Sequence, residues 1–262
     1  MIELYDKTVQ LDFIGESHKY LVSHKVGEKW LEPKPTTGVT TYCNALSKDF
    51  IAPWAAKLAA EYVAENLSKG NKTVVIDEAK NQHKVMADVG KRAGKLGHAY
   101  VEAKLLGRSV TMPSDEADVK VVESVKTAYE AFMKDWEPEI VGVESVLYSK
   151  AHDYAGTADL VCKIKGKLVI LDWKTTNTSR YNPDGIYATY FAQLGAYCLA
   201  YEEMTGEKVD ELWAVNLPKD GGEYKLRRLE DIGLTKADCQ AYFLALKQAY
   251  EINQIFEWRN SK

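Results

Sequence analysis

Two aspartates and one lysine in neighbouring apolar segments are the residues of this chain best suited to chemistry. Asp172 and Lys174 are two residues apart in the run 168–174, so on a strand both side chains leave the same face. Asp159 lies in the preceding segment, 157–164, which also has the composition of a strand. Carboxylates and an ammonium group on one sheet face can bind a divalent cation and handle a proton.

The turn between the two segments sets their register. Lys165 and Gly166 form a plausible two-residue turn, because glycine readily takes the positive φ that such turns need. A hairpin closed there sets Asp159 opposite Asp172, with Cβ atoms about 4.5–5.5 Å apart. Carboxylates that close repel each other, which predicts a divalent cation between them and Lys174 beside it. A one-residue slip would instead leave an exposed Asp–Lys pair and an unrelated aspartate.

The residues around the acids are apolar on both faces of this predicted hairpin. Val161, Leu168 and Ile170 share the carboxylate face. A strand pair covered on both sides is typical of the centre of a sheet, where a charged residue needs a functional reason. The opposite face carries Leu160, Cys162, Ile164, Val169, Leu171 and Trp173.

Polar side chains that could support a lysine or an acid lie on either side of the hairpin. Gln193 and Tyr197 are four residues apart, so on a helix they are neighbours that offer an amide and a phenol to a water, a phosphate or a lysine. Glu144 is an acid within the apolar strand segment 143–147. The alternative for all three is an ordinary solvent-facing position.

A glycine-rich helical segment precedes these residues. Gly90, Gly94 and Gly97 fall on one narrow helix face together with Val101. Glycine inside a helix costs about 1 kcal/mol relative to alanine, so three of them indicate close approach by another backbone or a ligand. His98 lies in the same segment, where it is either a structural histidine or a ligand.

Composition indicates a globular protein of a reducing compartment. Hydrophobic residues make up 46% of the 262 residues and the net charge is −4, which excludes disorder and a protein that coats nucleic acid over its whole surface, but not a local basic track. The 4 cysteines form no C-x-x-C pair, so we expect free thiols. No apolar stretch approaches the roughly 20 residues of a membrane span, and no signal peptide opens the chain, so we expect a cytoplasmic protein without a membrane partner.

The order of elements predicts an α/β fold with a central mixed β-sheet flanked by helices. Residues 1–110 contain a β-hairpin and a helical elaboration that contributes His98, including a helix that is capped by Asp77 and broken near Gly94. We expect this part and residues 111–262 to form one continuous structural unit. The second part is predicted to contain helices at 114–136, 186–204 and 235–258 and strands at 140–148, 157–164, 168–174, 211–216 and 224–228.

Five short patterns occur in the order found in the PD-(D/E)XK nucleases. The chain resembles the RecB-like exonuclease branch of that superfamily over roughly residues 90–200. Each pattern alone is weak, whereas five in order are specific, and residues 40–60 also resemble the start of phage-encoded and mitochondrial members. The patterns are Gly94-x-x-x-His98, Glu144, Gly156-Thr157-x-Asp159, Asp172-Trp173-Lys174 and Gln193-x-x-x-Tyr197.

The resemblance implies a restriction-endonuclease-like core and a division of roles. His98, Asp159, Asp172 and the backbone carbonyl of Trp173 would bind one or two Mg²⁺ or Mn²⁺ ions. Lys174 would orient the attacking water, and its neighbours would support the lysine or the DNA. The catalytic residues expected on this basis are Glu144, Asp159, Asp172, Lys174, Gln193 and Tyr197.

The chain departs from the family pattern at two positions. Ala158 stands where the motif name has proline, and Ala93 stands before Gly94 where many members have arginine, although Arg92 is adjacent. The cysteine set that holds an iron–sulfur cluster in some relatives is absent from the sequence, so we expect no cluster.

The resemblance implies a Mg²⁺- or Mn²⁺-dependent deoxyribonuclease of a bacterial or phage-infected cell. It would act as an exonuclease on single-stranded or end-containing DNA in replication, recombination or repair, where a protein of those pathways is a further candidate partner. An endonuclease of the same fold and a catalytically silent DNA-binding subunit are the alternatives. Exposed aromatic residues would stack single-stranded bases. The residues expected to contact DNA phosphates are Lys91, Arg92, Lys95, Lys104 and Arg108.

Overall fold

The computed structural model describes residues 1–14, 19–45, 51–180 and 182–260. Of residues 258–260 it describes only the backbone. Within these ranges five strands are followed by five helices, and three further strands, a helix, two strands and a last helix complete the chain. The strands are β1 (Ile2–Leu4), β2 (Val9–Ile14), β3 (Lys19–Val26), β4 (Lys29–Trp30), β5 (Lys34–Gly38), β6 (Glu139–Ser149), β7 (Tyr154–Ile164), β8 (Lys167–Lys174), β9 (Glu211–Asn216) and β10 (Lys225–Arg228). The helices are α1 (Val39–Cys43), α2 (Ile51–Asn66), α3 (Lys72–Ala79), α4 (Gln82–Leu105), α5 (Glu116–Trp136), α6 (Ala188–Thr205) and α7 (Lys236–Asn260).

The strands form one mixed sheet in the order β1-β2-β3-β5-β7-β8-β9-β10, with β4 paired to β3 and β6 paired to β7. The β7–β8 and β9–β10 pairs are antiparallel, whereas β5–β7 and β8–β9 are parallel. This arrangement, with helices packed on the sheet, confirms the predicted α/β class and its mixed central sheet.

The hairpin of β7 and β8 has the predicted register. Ile164 pairs with Lys167 and Leu160 pairs with Leu171, which sets Asp159 at the next position opposite Asp172. The turn residues Lys165 and Gly166 have φ angles of +51° and +79°, as a turn of this kind requires. The register argument from sequence is therefore confirmed.

The sheet separates two apolar layers. Helices α4 and α5 cover one face, where Phe132 and Trp173 lie in the same buried cluster as Leu160 and Leu171. Helices α6 and α7 cover the other face, where Leu194 and Phe243 pack in a cluster with Val161, Leu168 and Ile170. The two clusters reproduce the two predicted faces of the hairpin. Charged residues on β7 and β8 therefore lie within a covered part of the sheet.

The N-terminal region differs from the prediction in its helices. Helix α4 continues through Gly94 without a break, and the interruption falls at residues 80–81, between α3 and α4. Asp77 lies inside α3, whose N-terminal cap is Asn71, which accepts a hydrogen bond from the backbone of Thr73. The glycines do not end α4 because that face is packed. Among the described residues, no helix is long and apolar enough to cross a membrane.

The glycine face of α4 lies against the end of β8. A Cβ atom on Gly97 would lie 2.6 Å from Cγ2 of Thr175 and 3.2 Å from Cγ2 of Val125, whereas one on Gly94 would lie 3.5 Å from Oγ1 of Thr175. The glycines therefore allow α4, which carries His98, to approach the segment that follows Lys174. Of the three glycines only Gly97 is approached tightly, and by side chains rather than by the backbone or ligand that the sequence predicted.

Gly97→Ala is expected to destabilise the protein, whereas Gly94→Ala is not. The alanine methyl at residue 97 would overpack Thr175, and overpacking typically costs about 1–3 kcal/mol of unfolding free energy. The methyl at residue 94 makes an ordinary contact and raises helix propensity. Urea denaturation measures both. Adding Thr175→Ser, which removes Cγ2, should recover most of the loss, and equal stability of the two single variants would contradict this packing.

Candidate active site

The candidate site lies at an opening in the sheet between β5 and β8. Strand β6 pairs with β7 along 154–163 and occupies one edge of β7. The other edge is shared by β5, which pairs with residues 154–155, and by β8, which pairs with residues 160–164. Residues 156–159 therefore lie where β5 and β8 diverge. The predicted motif segment that ends at Asp159 occupies this opening.

Asp172 and Lys174 form an ion pair beneath the opening. The Asp172 side chain is fully buried, and its Oδ2 contacts the Lys174 ammonium. Burial raises the pKa of Asp172, and the charge of Lys174 counteracts that increase. Oδ1 of Asp172 is buried without a hydrogen-bond partner among the described residues. Oδ1 of Asp172 can therefore still bind a positively charged group.

Helix α6 holds the lysine through a short chain of contacts. The Lys174 ammonium donates to Oε1 of Gln193 at 3.1 Å, and Nε2 of Gln193 donates to the Tyr197 hydroxyl at 2.7 Å. The ammonium also lies 4.5 Å from the ring centroid of Tyr190. Burial raises the pKa of Tyr197 well above its usual value, so the phenol stays protonated. Gln193 and Tyr197 are neighbours as the four-residue spacing predicts. Tyr190, one turn earlier on α6, was not predicted from the sequence as a site residue.

Asp159 occupies the branch point of the two strands. Its Oδ2 accepts a hydrogen bond of 2.7 Å from the backbone N–H of Trp173, so this side chain takes the place of a backbone partner where β7 and β8 separate. The same oxygen lies 3.8 Å from Nδ1 of His98 on α4. Asp159 therefore links the end of β8 to α4 and orients both.

Glu144 faces the same opening from β6. It lies between Val143, which pairs with Leu160, and Ser145, which pairs with Ala158, and so stands opposite Asp159. Its φ of +48° is unusual for a residue other than glycine in a strand. Burial and the charge of Asp159 raise the pKa of Glu144 to about 8. Another acid is thus held close to Asp159 despite repulsion.

These residues line a single cavity of about 570 Å³. His98, Glu144, Asp159, Gln193 and Tyr197 line it together, and Lys174, which contacts Asp172, donates to the Gln193 side chain in this wall. The remaining wall comes from the N-terminal region, whose hairpin residues Phe13 and Tyr20 were not predicted to reach the site. That wall is formed by Phe13, Tyr20, Val39, Thr40, Thr41 and Asn44.

A buried asparagine, also missed from the sequence, fixes the segment after Lys174. Asn216 pairs with Lys174 in the parallel β8–β9 ladder and is fully buried. Its side-chain amide accepts from the Thr176 N–H at 2.9 Å and donates to the Asp184 carbonyl at 2.9 Å. The available signal was a polar residue at the carboxyl end of an apolar strand. Asn216 holds the connection to α6 against the sheet.

The predicted DNA-contacting residues lie outside the cavity. Lys95 and Lys91 lie one and two turns before His98 on α4 and share its helix face. The described residues that line the cavity include neither lysine nor arginine. Four of the five have nearby partners: Lys91 lies 3.3 Å from Asp88, Arg92 contacts Asp118, Lys104 lies 5.8 Å from the Tyr100 ring centroid, and Arg108 lies 3.4 Å from Glu102.

The donor groups suit a divalent cation, although they do not form a complete ligand set here. Carboxylates and an imidazole suit Mg²⁺ or Mn²⁺, and the open oxygen of buried Asp172 fits such a role. In this arrangement Asp159 binds the Trp173 N–H and Asp172 binds Lys174. Within the described ranges, no group of three or more His, Cys, Asp or Glu side chains is placed to hold a metal ion.

Several solved structures are similar to this chain. An alkaline exonuclease from Laribacter hongkongensis matches at 12% identity over 64% of this chain and 84% of that chain, with a TM-score of 0.34. Its complex with dAMP matches at 15% identity over 79% and 95%, with a TM-score of 0.33. A candidate exonuclease from Eubacterium rectale matches at 15% identity over 60% and 68%, with a TM-score of 0.36.

A comparison with curated proteins finds no match. The family comparison does find one: residues 82–261, more than half of the chain, match the model of one family. These residues include α4 with His98, the β6–β8 strands with Glu144, Asp159, Asp172 and Lys174, and α6 with Gln193. The chain belongs to the PD-(D/E)XK nuclease superfamily.

Proposed function

We propose that this nuclease is a Mg²⁺- or Mn²⁺-dependent DNA exonuclease of the RecB-like branch that acts on single-stranded or end-containing DNA. The observation that carries the proposal is the Asp172–Lys174 pair, whose lysine contacts Gln193 in the wall of a cavity that also displays Asp159 and His98. Members of the superfamily generally use divalent metals. DNA replication, recombination or repair is the setting that we propose for the activity.

The proposed metal ligands come from α4, β7 and β8. His98, Asp159, Asp172 and the Trp173 carbonyl are the proposed ligands, and the open Oδ1 of Asp172 supports this role. A bound divalent cation would polarise the phosphate, lower the pKa of a water and stabilise the leaving oxygen. Glu144 faces the same opening and is proposed to support the same site.

Lys174 is proposed to position the attacking water. Its ammonium is held by Asp172 from one side and by Gln193 from another, so its direction is fixed before substrate binds. Gln193 is itself held by Tyr197. A lysine fixed in this way can donate a hydrogen bond to a water and orient it toward a phosphorus atom.

The walls of the cavity support action at a DNA end. The N-terminal strands and α1 bound it on one side, and α4 bounds it on the other. A cavity of about 570 Å³ has the size of a small-ligand site, so it fits one nucleotide better than a duplex. Lys91 and Lys95, on the His98 face of α4, are proposed to contact the phosphates that follow.

Digestion of end-labelled DNA tests the proposal. Linear single strands should be degraded to short products with Mg²⁺ or Mn²⁺ and stay intact with EDTA, while covalently closed single-stranded circles should resist. Asp172→Asn provides the inactive control. Rapid cutting of the circle would favour an endonuclease, and binding without any cutting would favour a silent DNA-binding subunit.

A further inference from the structure

A lysine that follows β9 lies outside the cavity and beside α4. Nζ of Lys219 is 3.8 Å from the point where a Cβ atom on Gly90 would lie. Among the described residues, no other atom from outside α4 comes within 4 Å of that point. The Lys219 side chain therefore reaches from the end of the sheet to the backbone of α4, into a space that no other described element fills.

The backbone around Lys219 fixes where its side chain begins. The N–H of Leu217 donates to the carbonyl of Lys174 at 2.7 Å, so the chain after β9 continues beside the end of β8. The carbonyl of Pro218 accepts a hydrogen bond from the Ser124 hydroxyl on α5. Lys219 comes directly after these two anchored residues. Its position relative to the candidate site is therefore set by the fold.

The ammonium of Lys219 is partly buried, and the protein does not neutralise it. In the part of the chain that the structure describes, Lys219 forms no ion pair. Burial lowers the pKa of Lys219, and the charge of the adjacent Asp220 opposes this only in part. An unpaired charge held away from water costs folding free energy unless a ligand compensates for it. A phosphate would bring the missing negative charge.

Two other lysines lie between Lys219 and the cavity. Lys91 directly follows Gly90, and Lys95 is one turn further along α4 toward His98. Residue 90 is two turns before His98, which is about 12 Å along the helix axis. Lys95, Lys91 and Lys219 therefore form a basic row that begins beside the cavity and leads away from it.

We propose that Lys219 binds a backbone phosphate of single-stranded DNA several nucleotides away from the cleaved bond. This inference rests on the proposed function and adds to it a contact that none of the five sequence patterns contains. The cleaved phosphate would lie over Asp159 and His98, and the uncleaved strand would follow the basic row to Lys219. Because phosphates carry no sequence information, this contact would hold a long strand without selecting its bases.

Equilibrium binding in EDTA tests the contact without cleavage. The probes are oligothymidylates of about 3 to about 12 nucleotides, a range that spans common single-strand site sizes. Lys219→Met should bind the longest probe roughly 10-fold more weakly than the wild type does, the usual loss of one hydrogen bond to a charged group. On that probe the slope of log K against log salt should fall by about 0.7. The shortest probe should show no difference, because it does not reach Lys219.

Two comparisons distinguish a phosphate contact from a structural role. Lys134→Met, at an exposed lysine in the last turn of α5, should bind every probe as the wild type does. In urea denaturation, Lys219→Met should be at least as stable as the wild type, because methionine keeps the apolar stem and removes a partly buried charge.

The outcomes separate this inference from the proposed function. Equal binding of the longest probe by the wild type and Lys219→Met would overturn the phosphate contact and leave the nuclease proposal intact. A loss of the same size on every probe or in Lys134→Met, or a lower stability of Lys219→Met, would also overturn it. A wild-type protein that does not bind the longest probe would overturn the contact, and one that also fails to degrade it would overturn the proposed function as well.

Discussion

Replacing Lys174 with methionine should reduce cleavage by about 10²–10⁴-fold, the usual contribution of a group that positions or transfers a proton. The same change should destabilise the protein, because Asp172 is fully buried and Lys174 is the cation that contacts it. Removing one partner of a buried ion pair typically costs about 3–5 kcal/mol of unfolding free energy. Cleavage of a linear single strand and urea denaturation measure the two effects.

A double variant distinguishes the structural role of the pair from its catalytic role. Asp172→Asn combined with Lys174→Met removes both charges, so its stability should return most of the way to that of the wild type. Its cleavage should stay as low as that of the single variant. Lys134→Met, at an exposed lysine in the last turn of α5, controls for loss of a positive charge. A double variant as unstable as Lys174→Met, or a single variant with normal cleavage, would contradict this account.

Local sequence signals were sufficient to predict the β7–β8 hairpin. The Lys165–Gly166 turn fixes the register of β7 and β8, and that register brings Asp159 opposite Asp172. The four-residue spacing of Gln193 and Tyr197 likewise predicts their contact on α6. Short-range geometry determines both results, so one sequence was enough.

Long-range pairing explains what the sequence did not reveal. The N-terminal hairpin reaches the cavity because β5 pairs in parallel with β7, where Thr37 pairs with Tyr154 across more than 100 residues. No local pattern encodes that contact, so the roles of Phe13 and Tyr20 in the wall stayed hidden.

The helix break predicted at Gly94 was wrong for a related reason. Glycine propensity argues for a break, but packing against Thr175 outweighs it.

The contacts of the basic side chains around α4 were likewise not predictable from local sequence. Sequence identifies five basic residues around α4 but does not reveal their partners. Arg92 contacts Asp118 at the start of α5, and Arg108 lies beside Glu102. Lys91 and Lys95 are the two that share the helix face of His98. Helix periodicity can therefore select Lys91 and Lys95 from the five basic residues only once His98 is known to lie at the site.

Asp159 gives the second large expected effect, because it combines a structural contact with a proposed metal contact. Asp159→Asn keeps an oxygen that can accept the Trp173 N–H but loses the charge, so cleavage should fall below detection while the fold stays intact. Asp159→Ala should lose cleavage and also stability. It leaves that N–H without its partner in a residue only 2% exposed, at a cost of about 1–3 kcal/mol.

Thermal unfolding with and without Mn²⁺ tests both contacts of Asp159 in one experiment. A ligand at 100 times its Kd stabilises a protein by about 2.7 kcal/mol, so saturating Mn²⁺ should raise the Tm of the wild type. Neither Asp159 variant should gain that increase, because both lack the carboxylate charge. Without metal, only Asp159→Ala should melt early. Full Mn²⁺ stabilisation of Asp159→Asn would exclude Asp159 as a metal ligand, and equal melting of the two variants in EDTA would show that the Trp173 hydrogen bond does not stabilise the branch point.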